Sequence, residues 1–143
     1  MLRGQDIFEQ RAELALISIE SAVLAGAIGQ AVKVSVSRPY PYMYGPAPYS
    51  SQNSDGINYA SFWSGHSAVS MAAATSAMLI FWRSGAPLVA KLVVCTLAPA
   101  LSIGAGIFEI TAGNHFPSDV VVGVLAGGGI GVANLLVHDL DLG

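Results

Sequence analysis

Two histidines, two carboxylates, a lysine and an arginine are the residues of this 143-residue chain best suited to chemistry. His115 and Asp119 lie four positions apart. Across a helix start, that spacing lets the carboxylate accept a hydrogen bond from the imidazole, fix its tautomer and raise the basicity of the far nitrogen. Ser64-Gly65-His66 opens an uncharged apolar run. Backbone N–H groups at such a helix N-terminus, with a serine hydroxyl and a glycine that admits close approach, form an anion site. Lys33 adds a point charge suited to phosphate, and His66 is able to protonate a leaving oxygen. Together these residues describe phosphoryl transfer through a phosphohistidine, with no metal required. Each has a plainer reading alone: a structural interfacial histidine, or a lysine snorkelling at the end of a membrane span. A metal centre built from His66, His115 and Asp119 is a further alternative, since two imidazoles and a carboxylate can form a ligand set.

The elements that must position these residues are four apolar stretches. Residues 14–32 hold one charge, Glu20; residues 56–82 hold none; residues 84–108 hold only Lys91; residues 120–137 hold none. Eighteen helical residues are roughly 27 Å long, close to the hydrocarbon thickness of a bilayer. The expected architecture is therefore an all-α membrane bundle of four transmembrane helices. The alternative is a soluble bundle of buried helices. Against it stand the many Ala and Gly residues, which suit close helix packing in lipid, and Gly127, Gly128, Gly129 and Gly131, which would weaken a soluble helix. Pro99 is expected to kink the third helix. Ser84, with Pro87 in the first turn, is placed to cap the third helix, and Ser118 or Asp119 the fourth. Trp63 and Trp82 suit anchors at two membrane surfaces, or two core positions. The charged residues 1–13 read as a surface helix leading into the first span, not as a basic signal peptide.

Consecutive spans alternate in direction, so the loops after the first and third spans share one side. Lys33 and Arg38, the Ser64-Gly65-His66 turn, and Glu109, His115 and Asp119 all then fall at one membrane face. The linker 33–63 holds four of the seven prolines and all five tyrosines. A loop of that length without regular structure is usually functional; the alternative is an interfacial loop with tyrosines at head-group depth.

Composition narrows the rest. Charged residues make up 10% of the chain and hydrophobic ones 53%, with a mean hydropathy of +0.59, which excludes disorder. A net charge of −3 argues against a nucleic-acid partner. The single Cys95 excludes an internal disulfide framework and any multi-cysteine zinc site. Arg3, Arg11 and Arg83 lie opposite the motif face, which the positive-inside rule turns away from the cytoplasm.

Three segments resemble the signature of the type 2 phosphatidic acid phosphatase and vanadium haloperoxidase superfamily. Its first motif is Lys, six residues, then Arg-Pro; KVSVSRPYP supplies Lys33, six residues, then Tyr40-Pro41. Its second is Pro-Ser-Gly-His; WSGH supplies Trp63, Ser64, Gly65 and His66. Its third is Ser-Arg, five residues, His, three residues, Asp; FEITAGNHFPSD supplies Phe108, Glu109, His115 and Asp119. The motifs span 33–123 and the helices around them cover nearly all the chain.

The resemblance implies His115 as nucleophile, Asp119 as its orienting partner and His66 as general acid, with Lys33, Ser64 and Gly65 holding the phosphate. It implies a membrane-embedded lipid phosphatase of a bacterial-type inner or cytoplasmic membrane, acting on a phospholipid or isoprenoid phosphate, without a cofactor. It also implies a core corresponding to the last four of six spans, in a single domain over 1–143. Two motif arginines are replaced: Tyr40 stands for the first and Glu109 for the second, with Arg38 nearby as a partial substitute. A carboxylate near a phosphate is repulsive, by roughly 3 kcal/mol at about 5 Å and an effective dielectric near 20. Protonation of Glu109, or pairing with Arg38 or Lys33, would soften this. The second functional reading is accordingly a degenerate member that binds a phosphorylated lipid or a protein partner without turnover. A haloperoxidase-type reading would need bound vanadate, which the weakened anion clamp disfavours.

Overall fold

In a computed structural model, described over residues 2–45 and 56–138 with side chains over 12–45 and 58–138, the chain forms four α-helices. They are α1 (Leu2–Val36), α2 (Gly65–Arg83), α3 (Leu88–Thr111) and α4 (Pro117–Val137). Two short 3₁₀ turns, η1 (Pro41–Tyr44) and η2 (Gly56–Tyr59), lie in the first linker. The middle of that linker, the side chains of residues 1–11 and the tail after His138 lie outside the described residues.

The four-helix membrane architecture is as expected; α1, α3 and α4 are long and apolar enough by themselves to cross a membrane, while α2, the shortest of the four, is less apolar. The reason is position. α2 packs against all three other helices, most extensively against α4. It buries Ser67, Ala68, Met71, Ala72, Ala74, Ser76 and Ile80 against protein, so it needs little apolar surface for lipid. α2 begins at Gly65 with Ser64 as its N-cap, where the Ser64-Gly65-His66 turn predicts it. Residues 56–63 lack charges, but they form η2 and an extended approach.

The surface inverts the soluble pattern. Val137 is 81% exposed, Phe108 78%, and Val89 and Leu101 73%, while the buried set is dominated by alanine and serine. This distribution and the hydropathy of three helices make the chain an integral membrane protein. Close approach replaces apolar burial as the packing device. A Cβ at Gly123 would stand 2.7 Å from the Ser64 carbonyl oxygen and one at Gly131 2.6 Å from that of Ala72; one at Gly127 would overlap the carbonyl of Ala68. These three glycines, one turn apart, seat the α4 backbone directly on that of α2.

Hydroxyls inside the bundle are satisfied locally. Ser18, Ser21 and Ser70 each donate to the carbonyl four residues back. Away from the linker end, Ser21 and Ser76 share a hydrogen bond of 2.7 Å. There Asn134 donates to Ile17 O, Ser21 Oγ and Glu20 Oε2, while His138 Nε2 lies 2.7 Å from Glu20 Oε2. This network pins α1, α2 and α4 together.

Two helix ends differ from expectation. Ser84 does not cap α3: it closes α2, donating to Phe81 O and accepting from Ala86 N, and Pro87 precedes α3 without a side-chain cap. At α4 the N-cap is Phe116, and Asp119 caps from the third helical position by accepting from Phe116 N at 3.0 Å. Trp82 is 52% exposed, as a surface anchor would be. Trp63 instead packs on the Ala25, Ala68 and Ala72 cluster and over Gly29.

Candidate functional site

The two loops converge as the alternation of spans requires. Ser37, in the left-handed region at φ 48°, ends α1 with its N–H on Lys33 O at 2.9 Å and turns the chain back over the bundle. The returning segment is tied by Tyr40 N to Asn58 O at 3.2 Å and by Ser61 N to Arg38 O at 3.0 Å. The α3–α4 turn is closed by Asn114 N and His115 N on Glu109 O, with Gly113 at φ 74°. Ser64 N donates to Asp119 O at 3.0 Å and joins the two turns.

Between them lies a cavity of ≈ 700 Å³. Lys33, Tyr40, Gly65, His66, Glu109 and His115 all line it, from segments as much as 82 residues apart in the chain. Lys33 Nζ lies against Gly65: a Cβ there would meet it at 3.5 Å. The Tyr40 and His115 rings are 5.6 Å apart, and Tyr40 stacks on Tyr42 at 5.2 Å. His66 is exposed to the cavity, with Nδ1 at 3.3 Å from Glu109 Oε1. Glu109 Oε2 accepts from Asn114 Nδ2 at 3.1 Å. The carboxylate thus pairs with an imidazole and an amide rather than with Arg38 or Lys33.

His115 is 5% exposed. Its Nδ1 is buried without a hydrogen-bond partner among the described residues, 3.7 Å from Asp119 Oδ2. That is an ion-pair distance and too long for the hydrogen bond expected from the spacing. Asp119 is fully buried and already engaged: Oδ1 accepts from Arg38 Nη1 at 2.6 Å, and Oδ2 from Ser61 Oγ at 2.5 Å and Phe116 N at 3.0 Å. Burial holds the His115 imidazole below the usual histidine range, and the Lys33 charge adds to this; Asp119, Glu109 and the Ser61 main chain oppose it. The shift favours the neutral imidazole, whose unprotonated nitrogen carries a lone pair.

Two residues expected at the anion stand elsewhere. Arg38 does not line the cavity; its guanidinium is held by Asp119, donates to Ser118 Oγ at 2.8 Å, and lies 4.1 Å over the Phe116 ring. Ser64 is buried as the N-cap of α2, accepting from Ser67 N and Ser67 Oγ. What faces the cavity there is Gly65, at the start of α2 where N–H groups are unpaired by the helix. Sequence reasoning missed Ser61, a buried partner of Asp119, and Asn114, the partner of Glu109. Neither carries a spacing signal; only the folded loops bring them in. Among the described residues no three of His, Cys, Asp and Glu group together as metal ligands.

The family model for the PAP2 superfamily matches residues 14–140. The chain belongs to the PAP2 superfamily. Membership supports a phosphatase-type, phosphoester-hydrolysing function in general and association with lipid membranes. No curated protein and no solved structure matches the chain. Tyr40 and Glu109, the two positions where the motif resemblance leads one to expect arginine, both line the cavity.

Proposed function

We propose that the protein is a membrane phosphatase that hydrolyses a phospholipid or isoprenoid phosphate or diphosphate through a phosphohistidine. The observation that carries this reading is the pair of imidazoles on one cavity with the Lys33 ammonium, one ring buried and the other exposed. Lys33 and the Gly65 end of α2 hold the phosphate oxygens. The His115 Nε2 lone pair attacks phosphorus as the bond to the leaving oxygen breaks, and His66 delivers the proton that leaving oxygen needs. Water then attacks the phosphohistidine, with His66 taking its proton, and His115 is released with inorganic phosphate. Asp119 orients the segment carrying His115 and offsets the positive charge that develops on its ring. The positive-inside rule supports a site on the non-cytoplasmic face.

The test is phosphate release by purified protein in detergent from long-chain phosphate and diphosphate monoesters. His115→Ala is expected to abolish release and His66→Ala to lower it by about 10²-fold or more. Release unaffected by His115→Ala rules the mechanism out. A second reading, a binding member without turnover, is favoured by Glu109, whose carboxylate lines the cavity where the family carries an arginine. Restoring Tyr40→Arg and Glu109→Arg then creates release that the parent lacks; robust turnover by the parent removes this reading.

A further inference from the structure

The polar cavity does not end at its polar residues. It continues along α1 to Gly29 and Gly26, with Val69 of α2 opposite. A second cavity, ≈ 390 Å³, starts at the same Val69 and runs on between Ser18, Ile19, Ala22 and Val23 of α1 and Ala73 of α2. A Cβ at Gly26 would touch Val69 Cγ2 at 3.5 Å, so the two cavities abut across one small contact. On α1, positions 18, 22, 26, 29 and 33 recur every three or four residues and therefore lie on one face. The path from Lys33 to Ser18 is about 22 Å along the helix, longer than the ~15 Å of one hydrocarbon leaflet.

Beyond Gln30 at the mouth of the first cavity, the lining of the second has no free polar group to offer water. The one hydroxyl in the second cavity, Ser18, donates to Leu14 O at 3.3 Å. Ile19 and Val23 are 59% and 63% exposed, so the groove opens sideways on a surface that faces lipid. An aqueous substrate gains nothing from such a groove, whereas a chain already in the bilayer exchanges one apolar contact for another while its phosphate meets Lys33.

We propose that this α1–α2 groove holds a single hydrocarbon chain of the substrate, which enters laterally from the bilayer with its phosphate leading to the Lys33–Gly65 end. The proposal rests on the phosphatase reading for the headgroup; the groove itself is a binding statement. The substrate class it selects is a long-chain phosphate monoester, with any second chain left in the bilayer.

The experiment uses the full chain in detergent and measures both phosphate release and competitive binding for butyl phosphate and hexadecyl phosphate. Two variants narrow the groove. Ala73→Leu fills its floor, and Val23→Trp acts from the exposed wall, where folding is not at stake. Relative to the parent, each is expected to weaken hexadecyl phosphate at least about tenfold, the equivalent of roughly two buried methylenes, and to leave butyl phosphate unchanged. Equal variant-to-parent ratios for the two chain lengths, or no binding of either ester to the parent, overturn the groove. Chain-selective binding without any phosphate release keeps the groove and sinks the phosphatase reading. Release from both esters with equal ratios does the reverse.

Discussion

Glu109 is the group whose charge decides how well the cavity accepts an anion. Glu109→Gln keeps the shape and the amide can still meet Asn114 and His66, so the change removes charge with little else. With an oxyanion about 5 Å away and an effective dielectric near 20, deleting one negative charge is worth roughly 3 kcal/mol as an upper bound. The side chain is 21% exposed and its oxygens are shared with His66 and Asn114, which screen it. Taking a third of the bound, about 1 kcal/mol, gives a roughly fivefold gain; the full value gives about a hundredfold. Binding of inorganic phosphate, measured by titration calorimetry in detergent, is expected to tighten within that range. Turnover should move the other way or stay level, because the carboxylate that holds His66 Nδ1 is lost. Unchanged or weaker phosphate binding would show that Glu109 does not bear on the anion position, and the electrostatic account of the site would fall with it.

Other expectations follow from the same geometry. Gly127→Ala drives a methyl into the Ala68 carbonyl and should lower stability by about 1–3 kcal/mol. Gly129→Ala, with nothing within 4 Å, should be neutral or stabilising by up to about 1 kcal/mol; thermal unfolding in detergent separates the two. Because burial and Lys33 depress the His115 pKa, this group's contribution to stability is present above about 6.5, the unfolded value, and is lost as pH falls toward the folded value. The acid limb of activity should accordingly lie below about pH 6.5, and Lys33→Gln should raise the His115 titration followed by NMR. Arg38→Gln removes a charged donor from Asp119 and should cost about 2 kcal/mol, read as a lower unfolding temperature together with reduced turnover.

Much of the arrangement is legible before folding because membranes leave few options. Four apolar runs alternate in direction, and that alone carries Lys33, His66, Glu109 and His115 to one end, where they meet. The helix limits are less legible. Absence of charge marks residues 56–82 as one run and does not divide loop from helix; the Ser64-Gly65-His66 turn does, while Ser84 and Pro87 misplace the cap between α2 and α3. α2 reads as one more span, and the sequence does not report that it is the helix packed against all three others. The roles of Arg38 and Ser64 depend on where short side chains point within a turn, which spacing does not encode. Glu20 stands out in the sequence as the lone charge of its stretch, whereas nothing there marks its partners Asn134 and His138.

One carboxylate has a wider consequence. Arg38 arrives at Asp119 from the segment after α1, Ser61 from the segment before α2, and Phe116 from the start of α4. Three separate stretches of chain thus share a single junction, while the opposite end of the bundle has its own serine and asparagine ties. Replacing Asp119 would therefore dissolve the rim of the cavity and disorient the neighbouring imidazole in one stroke, leaving the far end of the helices clasped and the molecule open like a hinge at the end where it works.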